Sequence, residues 1–118
     1  MNFALSTQTV DGATVLAVSG EADLYTAPEL KAELVQAIEA GARFVVVDLS
    51  RATFIDSTTL GVLISGVKRL RPVDGRIDLV VEDRSIRKVF EITGLDTVFP
   101  IHRDLQAALA AGAEQGGG

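Results

Sequence analysis

Asp56-Ser57 is the place in this chain where residue types and spacing could do chemistry: a carboxylate precedes a serine, which opens a helical apolar pattern. Two uses of that serine are open. Its oxygen can accept a first-turn amide and cap the helix. Its hydroxyl can instead accept a phosphoryl group, because free amides and the macrodipole at a helix start favour a dianion. Such a modification would add nearly two negative charges beside Asp56 and block a partner by charge and bulk, without unfolding the helix.

Other chemistry is poorly supplied. The single histidine, His102, stands just before the last helical segment, where it is expected at the surface and not as the oriented base of a triad. No His/Asp/Glu spacing converges on a metal, and there is no cysteine, which excludes disulfides, thiolate sites and cysteine nucleophiles. Neither the dinucleotide-binding nor the phosphate-loop glycine pattern is present. Asp48 and Asp56 flank the loop after the central strand, but acid–base work would need a pocket that splits their pKa values. The simpler role for Asp56 is to order that loop and the helix start. An intrinsic enzyme is therefore the weakest reading, and no cofactor is expected.

The net charge of −5 argues against nucleic acid, whose phosphates attract clustered cations. Two basic clusters, Lys68-Arg69-Arg71 and Arg84-Arg87-Lys88, read first as solvated helix faces and second as a patch for an acidic protein partner. The apolar runs are far shorter than a membrane span, and no signal-peptide pattern opens the chain. A soluble cytoplasmic protein without membrane insertion is expected. With 118 residues, 47% of them hydrophobic, one domain with one core is expected over residues 1–111, followed by a flexible Gly-rich tail over 112–118.

The elements that must position Ser57 follow from periodicity. Phe3 and Leu5, then Val15 to Val18, predict two strands joined by Asp11-Gly12, a strong hairpin signal. Thr26 to Glu29 has the spacing of a capping box, with Pro28 harmless in the first turn. Leu30, Leu34 and Ile38 mark the buried stripe of that helix, which Gly41 ends. Phe44 to Val47 is an unbroken apolar run, as suits a central parallel strand covered on both faces. The Ser57 helix carries Leu60, Leu63, Ile64, Val67 and Leu70, and stops at Pro72 and Asp74-Gly75. Ile77 to Val81 predicts a further strand, and Asp83 can cap a helix carrying Ile86, Val89, Phe90 and Ile92, closed by Gly94. Val98 to Ile101 predicts a short edge strand, since Pro100 cannot donate a ladder bond. Leu105 to Ala111 predicts the last helix. The order ββαβαβαβα implies an α/β domain: a mainly parallel sheet with one antiparallel hairpin strand and about four helices.

Three segments of this chain resemble a family. Gly20 to Leu30 (GEADLYTAPEL) is similar to the GELDLATAPEL segment of STAS-domain anti-sigma factor antagonists. Val47 to Leu60 is similar to their VDLSGVTFIDSSGL segment, and Ile86 to Leu95 to their VRRLFEITGL segment. Order and spacing are kept, and the resemblance covers about residues 3–111. It implies the STAS fold and a partner switch. An unphosphorylated antagonist binds an anti-sigma factor that is also an ATP-dependent serine kinase, and so releases a sigma factor. The kinase brings ATP and Mg²⁺ and phosphorylates the serine after the motif's aspartate, here Ser57. A PP2C-type phosphatase reverses the step. Thr58 stands where many members have a second serine and is an alternative acceptor. Asp23 matches the family's loop acid, so Asp23, Leu24, Tyr25, Asp56, Ser57, Thr58 and Thr59 are the expected partner-binding residues. Thr59 stands where many members have glycine, a departure that would narrow partner choice. Two further readings stay open: a STAS scaffold or transporter-associated adaptor without a phosphorylation cycle, and a small-ligand or nucleotide-binding STAS domain.

Overall fold

The hairpin forms where Asp-Gly predicts it. The computed structural model describes the backbone of residues 3–116 and the side chains of residues 3–113. Strands β1 (Phe3–Val10) and β2 (Ala13–Ala22) run antiparallel with Val10 opposite Ala13. Asp11 and Gly12 take φ angles of 50° and 84°. A two-residue turn with both central φ angles positive matches the right-handed twist of the strands it joins.

Helix and strand then alternate: α1 (Ala27–Glu39), β3 (Phe44–Ile55), α2 (Ser57–Leu70), β4 (Arg76–Val80), α3 (Arg84–Ile92), β5 (Ile101–His102) and α4 (Leu105–Gly116). The sheet order is β1-β2-β3-β4-β5, and β2 to β5 are parallel. Each crossover moves one strand along in the same direction, so crossovers of one hand put α1, α2 and α3 on one face. Leu16, Val47, Leu49 and Leu79 of the sheet pack there against Leu30, Leu34, Leu63 and Phe90. On the other face, Val15, Val46 and Val80 lie under Ala108 of α4. β3 is thus covered on both sides, as its unbroken apolar run requires. Among the described residues, no helix is long and apolar enough to cross a membrane.

Several boundaries differ from the sequence reading. The Thr26–Glu29 capping box does not form, because the Thr26 hydroxyl donates to the Glu21 carbonyl at 3.0 Å instead of serving the helix. The expected strand over Val98 to Ile101 shrinks to Ile101–His102. Leu95–Thr97 coils into a 3₁₀ turn that sets Phe99 edge-on against Phe90, with ring centroids 6.2 Å apart. α4 runs on past Ala111 to Gly116, and Gly112 lies so close to the Phe44 ring that an added Cβ would come within 2.0 Å of it. The end of the expected tail, residues 117–118, lies outside the described residues. Lys68, Arg69 and Arg71, with Arg84 and Lys88, are exposed, and Arg87 pairs loosely with Glu91 at 3.7 Å.

Two glycines of α2 make opposite predictions. Gly61 has open space where a Cβ would stand, whereas a Cβ on Gly66 would lie 2.6 Å from Leu34 Cδ2 and 2.8 Å from Ile77 Cδ1. Gly61→Ala is expected to stabilise the domain by about 0.5–1 kcal/mol through helix entropy. Gly66→Val should destabilise it by about 1–3 kcal/mol, because Leu34 and Ile77 are themselves buried. Urea denaturation of both variants checks the pair, and a Gly61→Ala midpoint below wild type would contradict it.

Candidate functional site

The site grows from the C-terminal end of the parallel sheet, where α/β domains assemble their binding loops. Ile55 ends β3, and Asp56 turns the chain into α2. Asp56, not Ser57, is the N-cap: its backbone is extended and its Oδ1 accepts the Thr59 amide at 3.0 Å. This corrects the expectation that Ser57 could be the cap. Ser57 is instead the first helical residue, exposed, and its hydroxyl has no hydrogen bond among the described residues. Its amide and that of Thr58 have no intrahelical partner, which is general for first-turn amides. Thr58 is also exposed.

Asp56 faces two ways. Its Oδ2 accepts the Leu24 amide at 2.9 Å, and its own amide donates to the Ala22 carbonyl at 3.2 Å. The loop after β2 is thereby fastened to the start of α2, so Asp23, Leu24 and Tyr25 share one end of the sheet with Ser57. Asp23 shapes this loop from within. Its Oδ1 accepts the amides of Tyr25 at 2.9 Å and Thr26 at 3.2 Å, an Asx-type turn. The turn lifts two apolar side chains into solvent, Leu24 at 58% exposure and Tyr25 at 79%.

Thr59 departs from the expectation of direct partner contact. It is fully buried, with its hydroxyl donating to the Ala22 carbonyl at 2.8 Å. Its position at the third helical residue turns it inward, away from any partner. Phe54 is 48% exposed near the end of β3, with its Cα in register with Glu21, and faces the side of the sheet opposite its buried neighbour Ile55. Leu24 and Tyr25 give the loop beside Ser57 an apolar surface, with Asp56 and Asp23 accepting its amides.

The STAS domain family model matches residues 4–108. The chain belongs to the STAS domain family. A relative from Bordetella bronchiseptica, named as the anti-sigma factor antagonist BtrV, is 36% identical over 107 residues, which are 91% of this chain and 92% of that one. An anti-sigma factor antagonist of Mycobacterium paratuberculosis has a crystal structure that superposes with a TM-score of 0.86 at 31% identity, over 93% of each chain. The antagonist SpoIIAA has been solved unphosphorylated, with a TM-score of 0.77 at 26% identity over 88% of this chain and 92% of that one. Its phosphorylated form, from Bacillus, gives 0.71 at 25% identity over 93% and 99%.

Two further titratable clusters of this STAS domain make no hydrogen bond to Asp23, Asp56 or Ser57 among the described residues. Asp83 caps α3, and the Ser85 hydroxyl and the Ile86 amide hold its carboxyl below the usual range. A carboxyl depressed in the folded state stabilises at pH above its unfolded value, and that help is lost as pH falls through the folded value. The other cluster is buried. Asp78 on β4 has no exposure and accepts Arg76 Nε at 2.8 Å and Nη2 at 2.6 Å. Hydrogen bonding to Asp78 raises the guanidinium above its ordinary value. His102 Nε2 lies 2.7 Å from Asp78 Oδ2, so this histidine is a half-buried partner of a carboxylate and not the surface residue expected. The His–Asp pair lies on the α4 side of the sheet, beside Val46 and Val80.

Proposed function

We propose that this STAS domain is an anti-sigma factor antagonist whose partner binding is switched by phosphorylation of Ser57. The observation that carries the reading is the exposed hydroxyl of Ser57 at the first position of α2, without a hydrogen bond among the described residues and relieved of capping by Asp56. Unphosphorylated, the mouth formed by Asp23, Leu24, Tyr25 and Thr58 receives an anti-sigma factor that is also an ATP-dependent serine kinase. In the transfer, Ser57 Oγ forms a bond to the γ-phosphorus and the bond to the bridging oxygen of ATP breaks. ADP leaves, and the hydroxyl proton passes to a base of the kinase. The domain itself contributes the hydroxyl and the surface, and is a binding module rather than an enzyme. A PP2C-type phosphatase resets it.

The dianion is compatible with the helix start, where the amides of Ser57 and Thr58 and the macrodipole favour negative charge. It is incompatible with a partner packed on Leu24 and Tyr25, because it adds nearly two charges next to Asp56. The test is binding to each kinase-type anti-sigma factor encoded in the same genome, with and without Mg²⁺ and ATP. One of them should form a stable complex with a non-hydrolysable nucleotide and release the domain once ATP is supplied. Absence of any complex, and of any phosphate on the chain, would sink the proposal.

A further inference from the structure

Thr59 is the inward-facing hydroxyl in the first turn of α2, and its surroundings give it a definite task. The side chain is fully buried. Its oxygen lies 2.8 Å from the Ala22 carbonyl and 3.2 Å from Asp56 Oδ1. A hydroxyl has one proton, and Asp56 Oδ1 already takes the Thr59 amide at 3.0 Å. The proton therefore belongs to the nearer acceptor, Ala22. That carbonyl ends β2, one residue before the loop that displays Leu24 and Tyr25. Its second donor is the Asp56 amide at the longer distance of 3.2 Å.

We infer that Thr59 is a positioning residue that sets the Leu24–Tyr25 loop beside Ser57. What the loop binds rests on the antagonist reading; where the loop sits does not. The clasp has two arms, both starting from the first turn of α2. Asp56 reaches to the Leu24 amide, and the Thr59 hydroxyl reaches to Ala22 just upstream. With both closed, residues 22–24 are fixed relative to the helix that carries Ser57, and a partner meets an ordered Leu24 and Tyr25. With the Thr59 arm removed, the tie from α2 to the loop rests on Asp56, while Asp23 and Thr26 shape the loop only from within; the loop is then less ordered before binding, which weakens affinity.

The experiment compares Thr59→Val, which keeps the shape and loses the hydroxyl, with Thr59→Ser, which keeps the hydroxyl. Amide hydrogen exchange of the free domain is read at Leu24 and Tyr25, with Val46 in the core of β3 as the internal reference. In Thr59→Val the loop amides should exchange about tenfold faster while Val46 keeps its rate, the mark of local and not global opening. Thr59→Ser should restore slow exchange. Affinity for the unphosphorylated complex should follow the same order, falling about tenfold in Thr59→Val and returning in Thr59→Ser. Unchanged exchange at Leu24, equal acceleration at Val46, or no rescue by serine would overturn the inference. So would faster loop exchange with unaltered affinity. If the wild-type domain binds no kinase, the antagonist reading fails by that result, while exchange still decides whether Thr59 places the loop.

Discussion

Ser57→Ala is expected to remain folded, to carry no phosphate after incubation with the cognate kinase and ATP, and to keep its partner under conditions that release the wild type. Had Ser57 been the cap, this substitution would cost about 1 kcal/mol. Asp56 holds the cap instead, and the Ser57 hydroxyl has no hydrogen bond among the described residues. The stability change should therefore stay within about 0.5 kcal/mol, the range for surface substitutions. The binding effect is much larger. A dianion facing an interface that surrounds it with Asp56 and Asp23 should weaken the complex on the order of 100-fold, about 2.7 kcal/mol. Ser57→Asp should reproduce part of that loss, because it adds one charge instead of nearly two. Aspartate suits the positive end of a helix, so lost binding in this variant reports the interface and not unfolding. Mass spectrometry after the kinase reaction locates the phosphate. Phosphate on Thr58 alone, with Ser57→Ala still modified, would refute the assignment.

The parts of the fold governed by local rules are legible in the sequence. Asp11-Gly12 closes a hairpin because few other dipeptides accept two positive φ angles, and Asp83 caps α3 through its own carboxylate. The Phe44 to Val47 run announces a strand buried on both faces. What escapes is set by register and by distance along the chain. β3 slips twice against β2, between Ala17 and Ser19 and between Gly20 and Glu21. Each slip breaks the period-two alternation, so Phe54 turns outward where alternation gives no warning. The cap of α2 fell one residue early because aspartate and serine are both good caps, and only the extended backbone at Asp56 separates them. Thr59 escaped for a different reason. Its partner, the Ala22 carbonyl, lies 37 residues away, and no local pattern records that bond. The same holds for His102 and Asp78, which are 24 residues apart and meet only because β4 and β5 are neighbours.

That buried cluster carries the largest expected effect on stability. Arg76 keeps 26% of its side chain exposed, stacks over the Phe44 ring at 5.3 Å, and delivers two hydrogen bonds to a carboxylate with no exposure of its own. Arg76→Met keeps the stem that covers Phe44 and removes both bonds, leaving the Asp78 charge to His102 alone. Removing one partner of a buried pair costs about 3–5 kcal/mol, and His102 together with the part-exposure of Arg76 puts this case near 3 kcal/mol. In a domain of this size that lowers Tm by roughly 10 °C. The double variant Arg76→Met, Asp78→Leu should recover most of the loss. With the carboxylate gone nothing buried is left charged, and an apolar side chain joins Val46 and Val80 on the α4 side. The effect is confined to folding, because β4 presents Asp78 away from the face where α2 packs. The folded fraction of either variant should accept phosphate on Ser57 at the wild-type rate. Chemical denaturation decides the matter. A single variant as stable as wild type, or a double variant no better than the single, would show that Asp78 is not held by Arg76 as the geometry requires.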